Sequence, residues 1–219
     1  MDKAYLKVDR VRKSFKNERV LKDISLDLEG NKIYGIIGRN GSGKSVLFKI
    51  ICGFMKADEG RVVYNDQVIG EDVDFPPELG AIIESPGFLW YQSGMSNLEY
   101  LAGIQKKISK EQVRAAMQTV GLDPDSRKWV GKYSLGMKQR LSIAQAIMEN
   151  PKLIILDEPM NALDVESIDE MRQLFKSLKA DDRIIILASH NKEDIEMLCD
   201  EVYELSKGTL RQVSGNGEI

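Results

Sequence analysis

Four short apolar runs punctuate the chain: KIYGIIG at 32 to 38, ELGAIIE at 78 to 84, KLIILDEP at 152 to 159 and RIIILASH at 183 to 190. Their apolar residues are consecutive, as expected of strands buried on both faces in a parallel sheet covered by helices. The pattern differs at the two ends of the chain. Residues 4 to 29, AYLKVDRVRKSFKNERVLKDISLDLE, alternate like half-exposed strands, as do 61 to 69, RVVYNDQVI. Together they predict an antiparallel sheet near the N-terminus. EVYELSKGTLRQV reads as two strands about a Lys207-Gly208 turn.

Between residues 88 and 149 the helical period takes over. Ser96-Asn97-Leu98-Glu99 and Ser109-Lys110-Glu111-Gln112 both have the spacing of a capping box. The second predicts a helix with Val113, Ala116, Met117 and Val120 on one apolar face, stopped by Gly121. A helical block within an α/β pattern implies an inserted lobe. The expected fold is therefore a mainly parallel α/β core with an N-terminal antiparallel β subdomain and an inserted α-helical subdomain. We expect one domain over 1–219. Its antiparallel region is 1–30 and 61–75, its core is 31–60, 76–85 and 150–219, and its helical subdomain is 86–149.

Length and charge narrow the picture. A chain of 219 residues can bury one good core and a small lobe. With 30% charged residues, a net charge of -3 and no basic stripe, it is not expected to bind nucleic acid. Cys52 and Cys199 stand alone, without CxxC or His/Cys neighbours, and read as reduced thiols. No window reaches the roughly 18 to 20 apolar residues of a membrane span, and MDKAYLKVDR lacks a signal-peptide core. A chain soluble by itself is the expectation.

The chemistry concentrates where apolar runs end. Gly38-Arg39-Asn40-Gly41-Ser42-Gly43-Lys44-Ser45 matches GxxxxGKS between an apolar strand and the apolar helix VLFKIICGF. Its glycines let backbone N–H groups turn around an anion, and the helix N-terminus adds partial positive charge. Lys44 would reach β- and γ-phosphates and Ser45 would offer its hydroxyl to Mg2+. Asp157, at the end of LIILD, is placed to hold Mg2+, a cation that prefers oxygen ligands. Glu158 can polarise a water attacking the γ-phosphate. His190, the single histidine, ends a strand expected beside the acid strand, where it could bond the γ-phosphate.

These residues, with YSLGMKQRLSIAQAI at 133 to 147 and NALD at 161 to 164, resemble the ATP-binding cassette family over nearly the whole chain. The resemblance implies a P-loop ATPase in which two domains pair head to tail, each ATP lying between one phosphate loop and the partner's signature motif. Arg39, Asn40, Gly41, Ser42, Gly43, Lys44, Ser45 and Val46 would then cradle the nucleotide, and Phe15 would stack on adenine. Ser134 and Gly136 would bind the partner's γ-phosphate, and Asp164 would communicate across the dimer. Leu135 replaces the usual first signature glycine, Met137 the usual glutamine, Asn161 a commoner serine, and Val46 a hydroxyl residue that helps hold the α-phosphate.

Glu84 occupies the place where the family normally has glutamine touching Mg2+ or the attacking water. Followed by Ser-Pro-Gly-Phe, it looks like the subgroup that exports bacitracin and lantibiotics. The resemblance thus implies the ATPase subunit of an exporter, with ATP and Mg2+ as cofactors. Its partners would be a separate membrane permease and a second ATPase domain, homodimeric or heterodimeric. It would sit at the cytoplasmic face of the membrane, with the Pro86 to Met95 region and its Trp90 and Tyr91 near the permease. A soluble cassette acting on ribosomes or DNA, a cassette for another cargo and an isolated P-loop kinase are the alternatives.

Overall fold

The computed structural model describes residues 4–16, 18–84, 87–179 and 182–213. Two sheets form its frame. The antiparallel sheet contains β1 (Tyr5–Phe15), β2 (Glu18–Glu29), β4 (Glu59–Tyr64) and β5 (Gln67–Val68) in the order β2-β1-β4-β5. The larger sheet contains β3 (Lys32–Ile37), β6 (Leu79–Ile82), β7 (Leu153–Asp157), β8 (Ile184–Ala188), β9 (Glu201–Ser206) and β10 (Thr209–Val213). Its order is β10-β9-β3-β8-β7-β6, parallel throughout except for the β9-β10 hairpin.

The consecutive apolar runs are explained by two separate apolar layers. On β7, Leu153 and Ile155 pack into one layer and Ile154 and Leu156 into the other. On β8, Ile184, Ile186 and Ala188 face the first layer, and Ile185 and Leu187 the second. Side chains alternate along a strand, so burial on both faces requires apolar residues at every position. The first layer also holds the antiparallel sheet and α1 (Lys44–Ile51), with Leu47, Phe48, Ile50 and Ile51 buried.

The second layer holds α2 (Gly94–Gln105), α3 (Lys110–Thr119), α4 (Leu135–Ile147), α5 (Val165–Leu178) and α6 (Lys192–Leu198). The α3 start behaves as its sequence predicts: Ser109 and Gln112 form a reciprocal capping box, and Gly121 follows with φ +72°. The α2 start does not. That helix is capped three residues earlier than expected, because Ser93 Oγ accepts the Ser96 amide and Ser96 itself lies in the first turn.

Close approach between layers is set at Gly80 on β6. A Cβ there would fall 1.9 Å from the Ala146 carbonyl oxygen, so α4 rests directly on this strand's backbone. The fold thereby brings the carboxyl ends of β3, β8, β7 and β6 side by side. Ligands of open α/β sheets bind outside that edge.

Candidate functional site

Each of these four strand ends delivers a predicted site residue. After β3 comes the glycine loop, after β6 Glu84, after β7 Glu158 and after β8 His190. They line one cavity of about 750 Å3, which also includes Phe15, Asn40 to Val46 and Asp157. Residues more than 100 positions apart thus meet through strand order alone.

The loop is shaped by close backbone contact. A Cβ at Gly38 would lie 2.4 Å from the Leu205 carbonyl oxygen, and Gly43, which caps α1, has φ +106°. Lys44 is buried, and its ammonium donates to the Gly38 carbonyl at 2.7 Å. Ser42 Oγ is buried without a hydrogen-bond partner among the described residues, and nothing occupies the space where a Gly41 Cβ would stand. An orphaned hydroxyl, an open cradle and a helix N-terminus are the donor set that a polyphosphate would satisfy.

Beside the loop, Ser45 Oγ donates to Asp157 Oδ2 at 2.8 Å. This pair joins α1 to β7 and supplies two hard oxygens. Among the described residues there is no cluster of three or more His, Cys, Asp or Glu side chains able to cage a metal. A hydroxyl and a carboxylate suit Mg2+, which keeps waters and shares phosphate oxygens.

Glu158 has left-handed backbone, φ 51°, directly after β7, and its side chain is mostly buried. Oε2 accepts the His190 backbone N–H at 3.2 Å, while Oε1 lies 3.2 Å from His190 Nε2 without hydrogen-bond geometry. Burial raises the carboxyl's pKa, and Asp157 raises it further, against the lowering effects of His190 and Lys44. A carboxylate tuned upward in a cleft can accept a proton from water. The imidazole expected on a γ-phosphate is turned to Glu158 in this structure.

Three expected positions are placed elsewhere. Ser134, Gly136 and Asp164 line a second cavity of about 970 Å3, so one chain does not bring them to its own phosphate loop. Ser134 Oγ caps α4 by accepting the Met137 amide at 3.1 Å, and Asp164 caps α5 by accepting the Ser167 amide at 2.9 Å. The Ser167 hydrogen bonds hold the Asp164 carboxyl below its ordinary pKa. A Cβ on Gly136 would come within 3.1 Å of the Ala162 carbonyl oxygen, so glycine lets α4 approach that turn. Leu135 is 71% exposed at the rim of this second cavity.

Arg39 lines an adjoining cavity that shares Asn40, Gly41 and Ser42 with the first and includes Glu204 and Lys207. Val46 does reach the cradle, where its apolar side chain also packs on the core. Phe15 is 43% exposed at the cavity edge, with Lys13 Nζ 5.7 Å from its ring centroid. Gln139 was not anticipated. From α4 it donates to the Pro159 carbonyl at 2.8 Å and lines the first cavity, tying the helical layer to the turn after Glu158. No local pattern distinguishes it from any polar residue on a helix.

A model of the ABC transporter family matches residues 21–161. The chain belongs to the ABC transporter family. An uncharacterized ABC transporter ATP-binding protein of Bacillus subtilis, YybJ, is 38% identical over 94% of both chains. The bacitracin transport ATP-binding protein BcrA of Enterococcus faecalis is 36% identical, covering 94% of this chain and 67% of that protein. The lantibiotic transport ATP-binding protein SrtF of Streptococcus pyogenes is 31% identical, covering 94% and 88%. Among solved structures, a dimeric ATP-binding cassette in a post-hydrolysis state with ADP and phosphate superimposes with TM-score 0.86. It is 21% identical and covers 97% of this chain and all of that one, a likeness of fold.

The cassette is accordingly an ATPase whose cofactors are ATP and Mg2+. No helix among its described residues is long and apolar enough to cross a membrane. Cys52 and Cys199 are both free, and burial pushes both thiols up to about 12. Neither is a thiolate at neutral pH.

Proposed function

We propose that the cassette powers export of peptide antibiotics of the bacitracin or lantibiotic kind through a separate membrane permease, bound at the cytoplasmic face of the membrane. The observation that carries this reading is Glu84. It lines the same cavity as Lys44, Asp157 and Glu158, and it stands where the sequence resemblance expects glutamine. Relatives named for bacitracin and lantibiotic transport support it at 36% and 31% identity.

In this reading Lys44 and the loop amides hold the phosphates, Phe15 stacks on adenine, and Ser45, Asp157 and Glu84 offer oxygens to Mg2+. When bound, Mg2+ neutralises phosphate charge and orients the γ-phosphate. Glu158 takes the proton of the attacking water, and His190 moves from Glu158 to the γ-phosphate. Ser134, the Gly136 amide and Asp164 belong to the partner's site in a head-to-tail dimer. The two separate cavities of one chain support that division. The exposed Trp90 and Tyr91, 65% and 47% accessible, suit a permease contact, with Ser85 and Pro86 outside the described residues.

The test is to express the cassette with the membrane protein that co-purifies with it and to challenge the cells with bacitracin and with a lantibiotic. Increased survival that disappears in Glu158→Gln is expected. Unchanged survival to both antibiotics, with the pair shown to assemble, overturns the cargo assignment.

A further inference from the structure

Glu84 is not a free carboxylate in the cavity. Its Oε1 accepts from Lys49 Nζ at 2.6 Å, bridging 35 residues of sequence. Lys49 lies four residues after Ser45 on α1, on the same helix face and about one 5.4 Å turn along the axis. Ser45 is itself bonded to Asp157. One helix face therefore holds both the hydroxyl that meets the metal-binding acid and the ammonium that holds the third acid.

The backbone at Glu84 is left-handed, φ 62°, as is that of Glu158, φ 51°, after the adjacent strand. Asp157 and Glu158 already face the cavity, so a third unpaired carboxylate would add like-charge repulsion where a polyphosphate must enter. The Lys49 side chain is 29% exposed and that of Glu84 64%, so the pair is open to solvent and separable.

We propose that Lys49 is a positioning residue whose ion pair with Glu84 competes with the metal of the bound nucleotide for that carboxylate. The proposal rests on Glu84 being a metal-facing acid, as argued under the proposed function. Its consequence is that the ion pair lowers the apparent metal affinity of the site. Breaking the pair without removing Glu84 should tighten metal binding.

Mn2+ titrated into the ADP-bound protein, with free Mn2+ followed by electron paramagnetic resonance, measures this without turnover. Lys49→Met keeps the aliphatic stem, and Lys49→Gln is a second variant should the first fold poorly, as judged by thermal unfolding. Either should bind Mn2+ about two- to fivefold more tightly, the span expected for an ion pair of this exposure. Lys49→Arg should stay near wild type, and in a Glu84→Gln background the Lys49 effect should vanish. An equal gain in both backgrounds means that Lys49 acts by its own charge, and the proposal falls. If Glu84→Gln weakens Mn2+ binding but the Lys49 variants leave it unchanged, Glu84 remains metal-facing and the positioning role is wrong. If neither position alters Mn2+ binding, both readings fall.

Discussion

Glu158 and His190 meet across adjacent parallel strands through one hydrogen bond and one close side-chain approach. The His190 amide donates to Glu158 Oε2 at 3.2 Å, and Nε2 stands 3.2 Å from Oε1. The backbone contact fixes the carboxylate, and the side-chain contact is free to exchange for another acceptor. Position and adaptability are thus divided between two atoms of one residue.

Glu158→Gln keeps the shape and hydrogen-bonding capacity of this contact but removes the base. It should retain ATP binding, lose about 10^2- to 10^4-fold in turnover, and accumulate as a dimer in ATP and Mg2+. Size-exclusion chromatography with measured nucleotide occupancy checks this. A nucleotide-loaded monomer counts against the head-to-tail sandwich.

The raised Glu158 pKa has a definite sign for activity and for stability. The base works only when ionised, so kcat/KM should fall on acidification at a pH above the ordinary carboxylate range. His190→Ala keeps the backbone N–H but removes the imidazole's lowering influence, and should move this acid limb higher. A pH profile of kcat/KM that places the limb at the same pH in both proteins contradicts the assignment.

Stability runs the other way from that of a salt-bridged acid. A carboxyl with a raised folded pKa holds its proton more tightly when folded. Its stabilising contribution is full below the unfolded value near 4.3 and is lost as pH rises through the folded pKa. Glu158→Gln should therefore be more stable than wild type at neutral pH, with the difference closing at low pH. Denaturant midpoints at two pH values give the comparison.

Phe15 lies at the cavity edge, partly exposed. Base stacking on an aromatic is worth about 1–3 kcal/mol, so Phe15→Ala should weaken ATP binding about 5- to 150-fold. Phe15→Trp should retain it. Unchanged affinity in a fluorescent-nucleotide titration would assign the ring to packing alone.

A buried ion pair supports the histidine turn from behind. Arg172 on α5 donates to Asp194 on α6 at 2.6 Å, with side chains only 6% and 2% exposed. Asp194 Oδ2 accepts from Ser189 Oγ, which in turn accepts the Asn191 amide on the other side of His190. Arg172→Ala leaves a buried carboxylate uncompensated and should destabilise the protein by about 3–5 kcal/mol in denaturant titration.

The sequence alone determined the parts whose physics is local or periodic. Runs such as LIIL and IIIL are apolar at every position because both faces of their strands are covered, and the phosphate loop is a continuous eight-residue motif. Family likeness extended this to Ser134, Gly136 and Asp164, residues that the fold gathers at a second cavity. The α2 start was misplaced because Ser93 and Ser96 offer the same capping chemistry three residues apart, and propensity does not choose between them.

Only the tertiary structure decided which distant groups touch. Strand order sets Glu84 one parallel neighbour from Glu158, and packing of α1 under that edge brings Lys49 to Glu84. Packing of α4 on the same sheet brings Gln139 to the cavity. An ion pair 35 residues apart leaves no periodic trace in a chain where 30% of residues are charged. Its partners become neighbours only once the hydrophobic layers have fixed the helix against the sheet.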